Sequence, residues 1–267
     1  MQTDDLKMQE NIFSDELPVS ISKVFDVLER HNVFFWLDAG CLLKGIRDKS
    51  ILTSSDIDVS ATNDQTNNIL SALDELADLG YRFNFNGGYP MLEDMVTVFL
   101  PEMFNRIKHI DIYIFHRSGD MLARRCFHKP IVTSKSRYLF YLSKKIMAKS
   151  LTSNKAIDLK LDADRNYSIA RNLGKFIFYL YELVGTTAWY VIPVKYLSEF
   201  KKVKLHGRQF NVPVSWEDYL EMRYGADWAT PKDRLEWFSD WKNSLNHVIQ
   251  HRKLRTNMSL KKYWFRF

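Results

Sequence analysis

Residues Trp36 to Val59 read WLDAGCLLKGIRDKSILTSSDIDV, and the fold turns on how this stretch ends. Asp56-Ile57-Asp58-Val59 alternates carboxylate with aliphatic side chain. In a strand, residues two apart share a face. Asp56 and Asp58 therefore project from one side while Ile57 and Val59 enter a core. Two neighbouring carboxylates repel and raise each other's pKa, and a divalent cation relieves that repulsion. Hard oxygen ligands suit Mg²⁺ or Mn²⁺, which take one or two carboxylates together with substrate phosphates. Taken alone, the pattern also describes a solvated strand face.

Two flanking segments sharpen it. Upstream, the apolar run Val33–Leu37 meets Asp38-Ala39-Gly40 and opens a short helix, Cys41-Leu42-Leu43-Lys44-Gly45-Ile46-Arg47. A helix beginning at glycine offers unpaired backbone N–H groups to an anion, and Gly40 lets phosphate approach closely. Arg47, two turns along, is a candidate phosphate partner or a surface ion pair. Downstream, His109–Phe115 reads HIDIYIF. Ile110, Ile112 and Ile114 share one face, so Asp111 lies on the other. It completes a metal site if this strand neighbours the first, or faces water if the strand is an edge.

The surrounding pattern predicts helices at Leu17–His31, Asn63–Leu79 and Trp216–Tyr224, from apolar residues at helical spacing. Gly80 closes the second of these in the usual C-terminal position. Strands are expected at Asp56–Ser60, Tyr81–Phe85, Val96–Leu100 and His109–Phe115, with a hairpin turn at Asn86-Gly87-Gly88. A pair of short strands is expected within Tyr190–Val212, around His206-Gly207. Helices are expected at Tyr138–Lys149, Asn166–Leu183 and Pro231–Leu254. Helices mixed with strands in this order predict an α+β fold: a mixed β-sheet core flanked by helices, with further C-terminal helices and a short β-hairpin.

Composition and charge narrow the class. Of 267 residues, 46% are hydrophobic and 26% charged, which is globular. Two cysteines, Cys41 and Cys126, make no disulfide scaffold and fit a reducing compartment. The acidic N-terminus is not a secretory signal. Phe176–Val194 carries Glu182 and Pro193, which suits a buried helix followed by a loop or strand better than a membrane span. The net charge of +6 is uneven. Residues 1–116 hold 9 basic and 19 acidic residues, 117–155 hold 10 and 1, and 250–267 hold 6 and 0. That is an acidic part, a basic strip and a basic tail, not the evenly basic coat of a nucleic-acid binder.

The order of glycine turn, short helix, Asp-x-Asp strand and later single-Asp strand resembles the DNA polymerase β-like nucleotidyltransferase superfamily. The wording from Trp36 to Val59, with VPVSWEDYLEMRYGADWATP from Val212 to Pro231, resembles the LicD/fukutin family more specifically. The sequence departs from that family at Lys44, where a glycine is usual, and at Thr53, Ser54 and Ser55, where Pro, Trp and Asp are common. The resemblance implies phosphotransfer: a phosphorylated alcohol, such as phosphocholine or ribitol phosphate, passes from a CDP-linked donor to a hydroxyl of a cell-surface glycan or glycolipid. It implies Mg²⁺ or Mn²⁺ on Asp56, Asp58 and Asp111, with Asp111 alternatively the base for the attacking hydroxyl. Gly40, Cys41 and Arg47 are then expected at the phosphates, and Asp38 either caps the turn or binds the donor. A second reading within the enzyme class is transfer of a nucleoside monophosphate from an NTP to a small molecule or protein.

Residues 1–135 are expected to form the catalytic core and 136–267 a helical C-terminal part. That part carries Tyr224-Gly225 and the tail HRKLRTNMSLKKYWFRF, whose mixed basic and aromatic residues suit either a membrane surface or ordinary packing. The expected location is cytoplasmic, at or near the inner face of the membrane, with no nucleic-acid partner.

Overall fold

The computed structural model describes residues 16–85, 95–126 and 188–232, together with Leu142 and Ile177. The expected turn at Asn86–Gly88, the helices at Tyr138–Lys149, Asn166–Leu183 and Pro231–Leu254, most of the basic strip, most of the apolar run Phe176–Val194 and the tail lie outside the described residues.

The core is built by alternation. Strand β1 (Trp36–Leu37) pairs antiparallel with β2 (Ile57–Thr62), which pairs parallel with β5 (Ile107–Ser118). On the other edge of β5 follow β4 (Met95–Phe104) and β3 (Arg82–Phe85), each antiparallel to its neighbour. In the β2–β5 register, Ile57, Val59 and Ala61 stand beside Ile110, Ile112 and Ile114, all fully buried. That aliphatic face drives the pairing, because sliding β2 by one residue would send every one of these side chains to the opposite face.

Helices α1 (Val19–Arg30) and α3 (Thr66–Asp78) pack against each other. Ile21, Val24, Phe25, Val27 and Leu28 of α1, and Ile69, Leu70, Ala72, Leu73 and Leu76 of α3, are buried at the spacing the sequence predicted. Asn63–Gln65 forms a single 3₁₀ turn before α3. Gly80, at φ +87°, ends α3 where a side chain would be strained.

Further strands extend the sheet. The tail of β5 turns at Gly119-Asp120 into β6 (Met121–Cys126), which pairs with β7 (Ala188–Pro193). Sequence periodicity missed β6, because its basic residues read as a solvated strip. Arg124 is instead buried, its guanidinium 3.9 Å from the centre of the Tyr113 ring.

The C-terminal elements are β8 (Phe200–Leu205), β9 (Arg208–Pro213) and α4 (Trp216–Tyr224). His206 and Gly207, both at positive φ, form the two-residue turn between β8 and β9. This hairpin lies against the N-terminal part. Asn211 Nδ2 donates to the Phe35 carbonyl (2.6 Å), and Arg208 pairs with Asp26 and Glu29. Leu205 of β8 presses on helix α2 (Ala39–Arg47) at Gly45, where a Cβ would come within 2.9 Å of its Cδ1. Gly45 is thus the residue that lets the hairpin close on the helix. Core residues from β7 to α4 join the same buried cluster as those from α1 to β5.

Candidate functional site

The parallel register sets Asp58 beside Asp111. Asp56, one residue before β2, extends the same alternation towards His109, two residues before Asp111. The polar face of the sheet therefore carries Asp56, Asp58, His109, Asp111 and Tyr113, with Thr97 of β4 opposite Asp111. The Tyr113 hydroxyl donates to Asp58 Oδ1 (3.0 Å), and Thr97 Oγ1 donates to Asp111 Oδ1 (2.6 Å). Ser55 Oγ donates to Asp56 Oδ1 (3.0 Å).

Burial, then the charges of Asp56 and Asp111, push Asp58 up to about 8, although Tyr113 and Arg223 oppose the shift. Burial raises Asp111 as well, against the Thr97 hydrogen bond and the nearby His109. Both carboxylates are thus held towards the protonated state, the condition that a divalent cation reverses.

Among the described residues, one donor set is close enough to share an ion: oxygens of Asp56 and Asp111 and a ring nitrogen of His109 lie within 4.8 Å of one another. Asp58 stays beside Asp111 in the register but turns one oxygen to Tyr113, and His109 takes a place that the sequence had not assigned. The signal for His109 was present, since an i, i+2 pair with Asp111 on a strand shares its face.

Helix α2 starts at this face. Its first-turn N–H groups, those of Gly40 and Cys41, have no helical carbonyl to bond. A Cβ at Gly40 would sit 3.7 Å from Asp58 Oδ2 and 3.9 Å from Ser54 Oγ, so the bare backbone opens directly onto the carboxylate. Ala39 before it adopts φ +48°, a left-handed conformation that turns the chain sharply from strand into helix.

The remaining expected phosphate groups fall differently. The Cys41 thiol is buried, accepts the Asp58 N–H (3.2 Å) and donates to the Asp56 carbonyl (3.6 Å). It fixes the path of the Asp-x-Asp segment and leaves only its backbone N–H for a ligand. Arg47 forms a two-pronged pair with Asp48, at 2.6 and 2.9 Å, as the surface-pair alternative expected. Lys44 Nζ donates to the Thr53 carbonyl (2.8 Å), tying down the loop before Asp56.

Asp38 is fully buried and is the N-cap of α2. Its Oδ1 accepts from Ala39 N (2.7 Å), Tyr219 Oη (2.6 Å) and Arg223 Nη1 (2.6 Å), and its Oδ2 accepts from Ser60 Oγ (2.6 Å). Burial would raise its pKa, but Arg223 and these hydrogen bonds hold it below the usual carboxylate range. Asp38 therefore holds the helix start. Tyr219 and Arg223 are the residues that sequence reasoning passed over, because nothing local shows that α4 reaches the start of α2. Gly225 caps α4 at φ +94°, its N–H on the Glu221 carbonyl (2.8 Å).

No protein-family model and no curated protein matches the sequence. Among solved structures, the chain is similar to the lincosamide antibiotic adenylyltransferase LnuA with lincomycin bound. That likeness has 12% identity and a TM-score of 0.39, over 87% of this chain and 98% of that one. It is also similar to the antibiotic-resistance factor ANT(2'')-Ia, with 10% identity and a TM-score of 0.29, over 62% and 94% of the two chains. These likenesses are remote, and the functional reading rests on the side chains described above.

Proposed function

We propose that the chain is a metal-dependent transferase that moves the nucleoside monophosphate group of an NTP onto a hydroxyl of a small molecule, releasing pyrophosphate. The observation that carries this reading is the parallel β2–β5 register, which sets Asp58 beside Asp111 and in front of the α2 N-terminus. Asp56 and Asp111, with Asp58 beside Asp111 in the register, would hold Mg²⁺ or Mn²⁺; an oxygen of each of Asp56 and Asp111 lies within 4.8 Å of the other. When bound, the ion neutralises the phosphate oxygens and the leaving pyrophosphate.

The chain's own residues supply the rest. The N–H groups of Gly40 and Cys41, with the positive end of the helix, receive phosphate oxygens. The acceptor oxygen attacks the α-phosphorus, the bond to the bridging oxygen breaks, and pyrophosphate departs with those electrons. The acceptor's proton passes to a carboxylate of this face, with Asp111 the candidate where it does not itself ligate the ion. Asp38 acts as a positioning residue through α2. In this reading residues 1–135 form the catalytic core, 136–267 bring the Tyr219 and Arg223 support, and the chain works in the cytoplasm, where NTPs are. No helix among the described residues is long and apolar enough to cross a membrane.

The LicD/fukutin-like reading, transfer of a phosphorylated alcohol from a CDP-linked donor to a glycan, has one observation in its favour. The two motif segments meet in space, Tyr219 and Arg223 of the second closing on Asp38 of the first. Against it stand the departures at Lys44, Thr53, Ser54 and Ser55, while the glycine turn, Asp-x-Asp and later Asp of the wider superfamily pattern are intact. A thermal-shift screen of NTPs, CDP-choline, CDP-ribitol and CDP-glycerol, each with and without Mg²⁺ or Mn²⁺, decides. Metal-dependent stabilisation by an NTP supports nucleotidyl transfer, the same response confined to CDP-alcohols supports the second reading, and no response to any of them sinks both.

A further inference from the structure

We propose that His109 is a nitrogen ligand of the divalent cation, so that this site prefers a transition ion such as Mn²⁺ over Mg²⁺. The inference rests on the reading of this face as a metal-dependent transferase site and adds which ion the face selects.

Geometry comes first. His109 Nε2 lies 3.9 Å from Asp56 Oδ2 and 3.8 Å from Asp111 Oδ2. Those separations are too long for hydrogen bonds. They suit donors sharing one ion, since bonds of about 2.1 Å allow two ligand atoms up to about 4.2 Å apart. The carboxylates also spend their hydrogen bonds elsewhere: Ser55 and Thr97 donate to Oδ1 of Asp56 and Asp111, and the Oδ2 atoms are the ones turned to His109.

The ring is held in place. His109 sits across from Phe99 of β4 in the strand register, and the two rings meet edge to face with centroids 6.0 Å apart. A ring fixed by strand pairing and an aromatic neighbour loses little freedom on ligation. Asp56 is over a third exposed, which leaves an approach for an ion and for substrate oxygens.

Ligand chemistry then sets the preference. Carboxylates serve Mg²⁺ and Mn²⁺ alike, whereas imidazole favours transition ions. Mg²⁺ also demands near-ideal octahedral oxygen geometry and dehydrates reluctantly. The competing account is that His109 is only a counter-charge between Asp56 and Asp111, with any ion held by oxygens alone.

Pulsed EPR on the Mn²⁺-loaded full chain separates the two. The expected result is a ¹⁴N modulation from a directly bound imidazole, absent in His109→Ala. In calorimetric titrations His109→Ala should weaken Mn²⁺ by at least about tenfold, the scale on which even outer-shell metal partners act, and Mg²⁺ by far less. His109→Asp, which replaces the nitrogen donor with oxygen, should shift the preference towards Mg²⁺, and melting curves confirm that each variant is folded. Mn²⁺ bound without nitrogen coupling, or an unchanged Mn²⁺ to Mg²⁺ ratio in His109→Ala, overturns the inference and leaves the proposed function standing. If neither ion binds the wild-type chain, the proposed function falls with it.

Discussion

Two carboxylate systems lie on either side of the first turn of α2, and they are built on opposite terms. Asp38 is fully buried yet held ionised, because burial is outweighed by Arg223 and by donors from Ser60, Tyr219 and Ala39. Asp58 and Asp111 are also buried, but they face each other and Asp56, and they are pushed towards the protonated form. Asp38 thus has a fixed charge satisfied by protein, which is a structural device. The other pair stays raised despite hydrogen bonds from Tyr113 and Thr97, which is the condition the proposed cation would relieve. Carboxylates whose environments push their pKa values apart mark different roles.

The largest expected effect tests the second system. Asp58→Asn should lower turnover by about 10³-fold or more, since several kcal/mol of charge stabilisation is lost. Its metal-free melting temperature should stay level or rise, because a buried carboxyl pushed towards protonation is replaced by a neutral amide of similar shape. Activity close to wild type, or a sharp fall in stability, would break the contrast with Asp38.

Removing the partner of Asp38 should act in the opposite way. Arg223→Met strands a buried carboxylate and should cost about 3–5 kcal/mol in urea unfolding. A cost under about 1 kcal/mol would mean that the network does not tie α4 to α2.

The pH dependence sharpens the same point. Asp38 has a folded pKa below its unfolded value, so the unfolded chain gains the proton first on acidification. Its stabilisation is whole above about pH 4 and is lost as pH falls through the folded value. Acid titration of Asp38→Asn by circular dichroism should show a less stable protein at neutral pH with a shallower acid limb. An acid limb as steep as wild type would place the acid-sensitive group elsewhere.

The smallest effect concerns the turn between the systems. Ala39 sits at φ +48°, which costs an L-residue about 1–2 kcal/mol. Glycine removes that strain at an entropic cost of about 0.5–1 kcal/mol. Ala39→Gly should therefore raise stability by up to about 1 kcal/mol; destabilisation would show that the Ala39 methyl packs usefully.

Much of the fold was legible because single elements carry their own periodicity. Trp216–Tyr224 lies where its spacing placed it, α1 and α3 end within a few residues of expectation, and the aliphatic faces of β2 and β5 alternate as read. Strand β6 was hidden because burial of Arg124 against Tyr113 is a tertiary event that a basic strip does not announce. In the site, Asp58 and Asp111 were readable from alternation. His109 was not readable as a ligand because its approach to Asp56 depends on the pairing of β2 with β5, and Arg47 and Cys41 turned to partners that lie next to them in space.

The sequence by itself determined the α+β class, the carboxylate alternation and the glycine turn before a helix, since each depends on local spacing and backbone sterics. Only the tertiary structure decided that β2 and β5 run parallel with Asp58 beside Asp111, and that Tyr219 and Arg223 close on Asp38. Those facts join residues far apart in the chain. They follow from which apolar faces pack together and which buried charges find partners, and neither is written in any single segment.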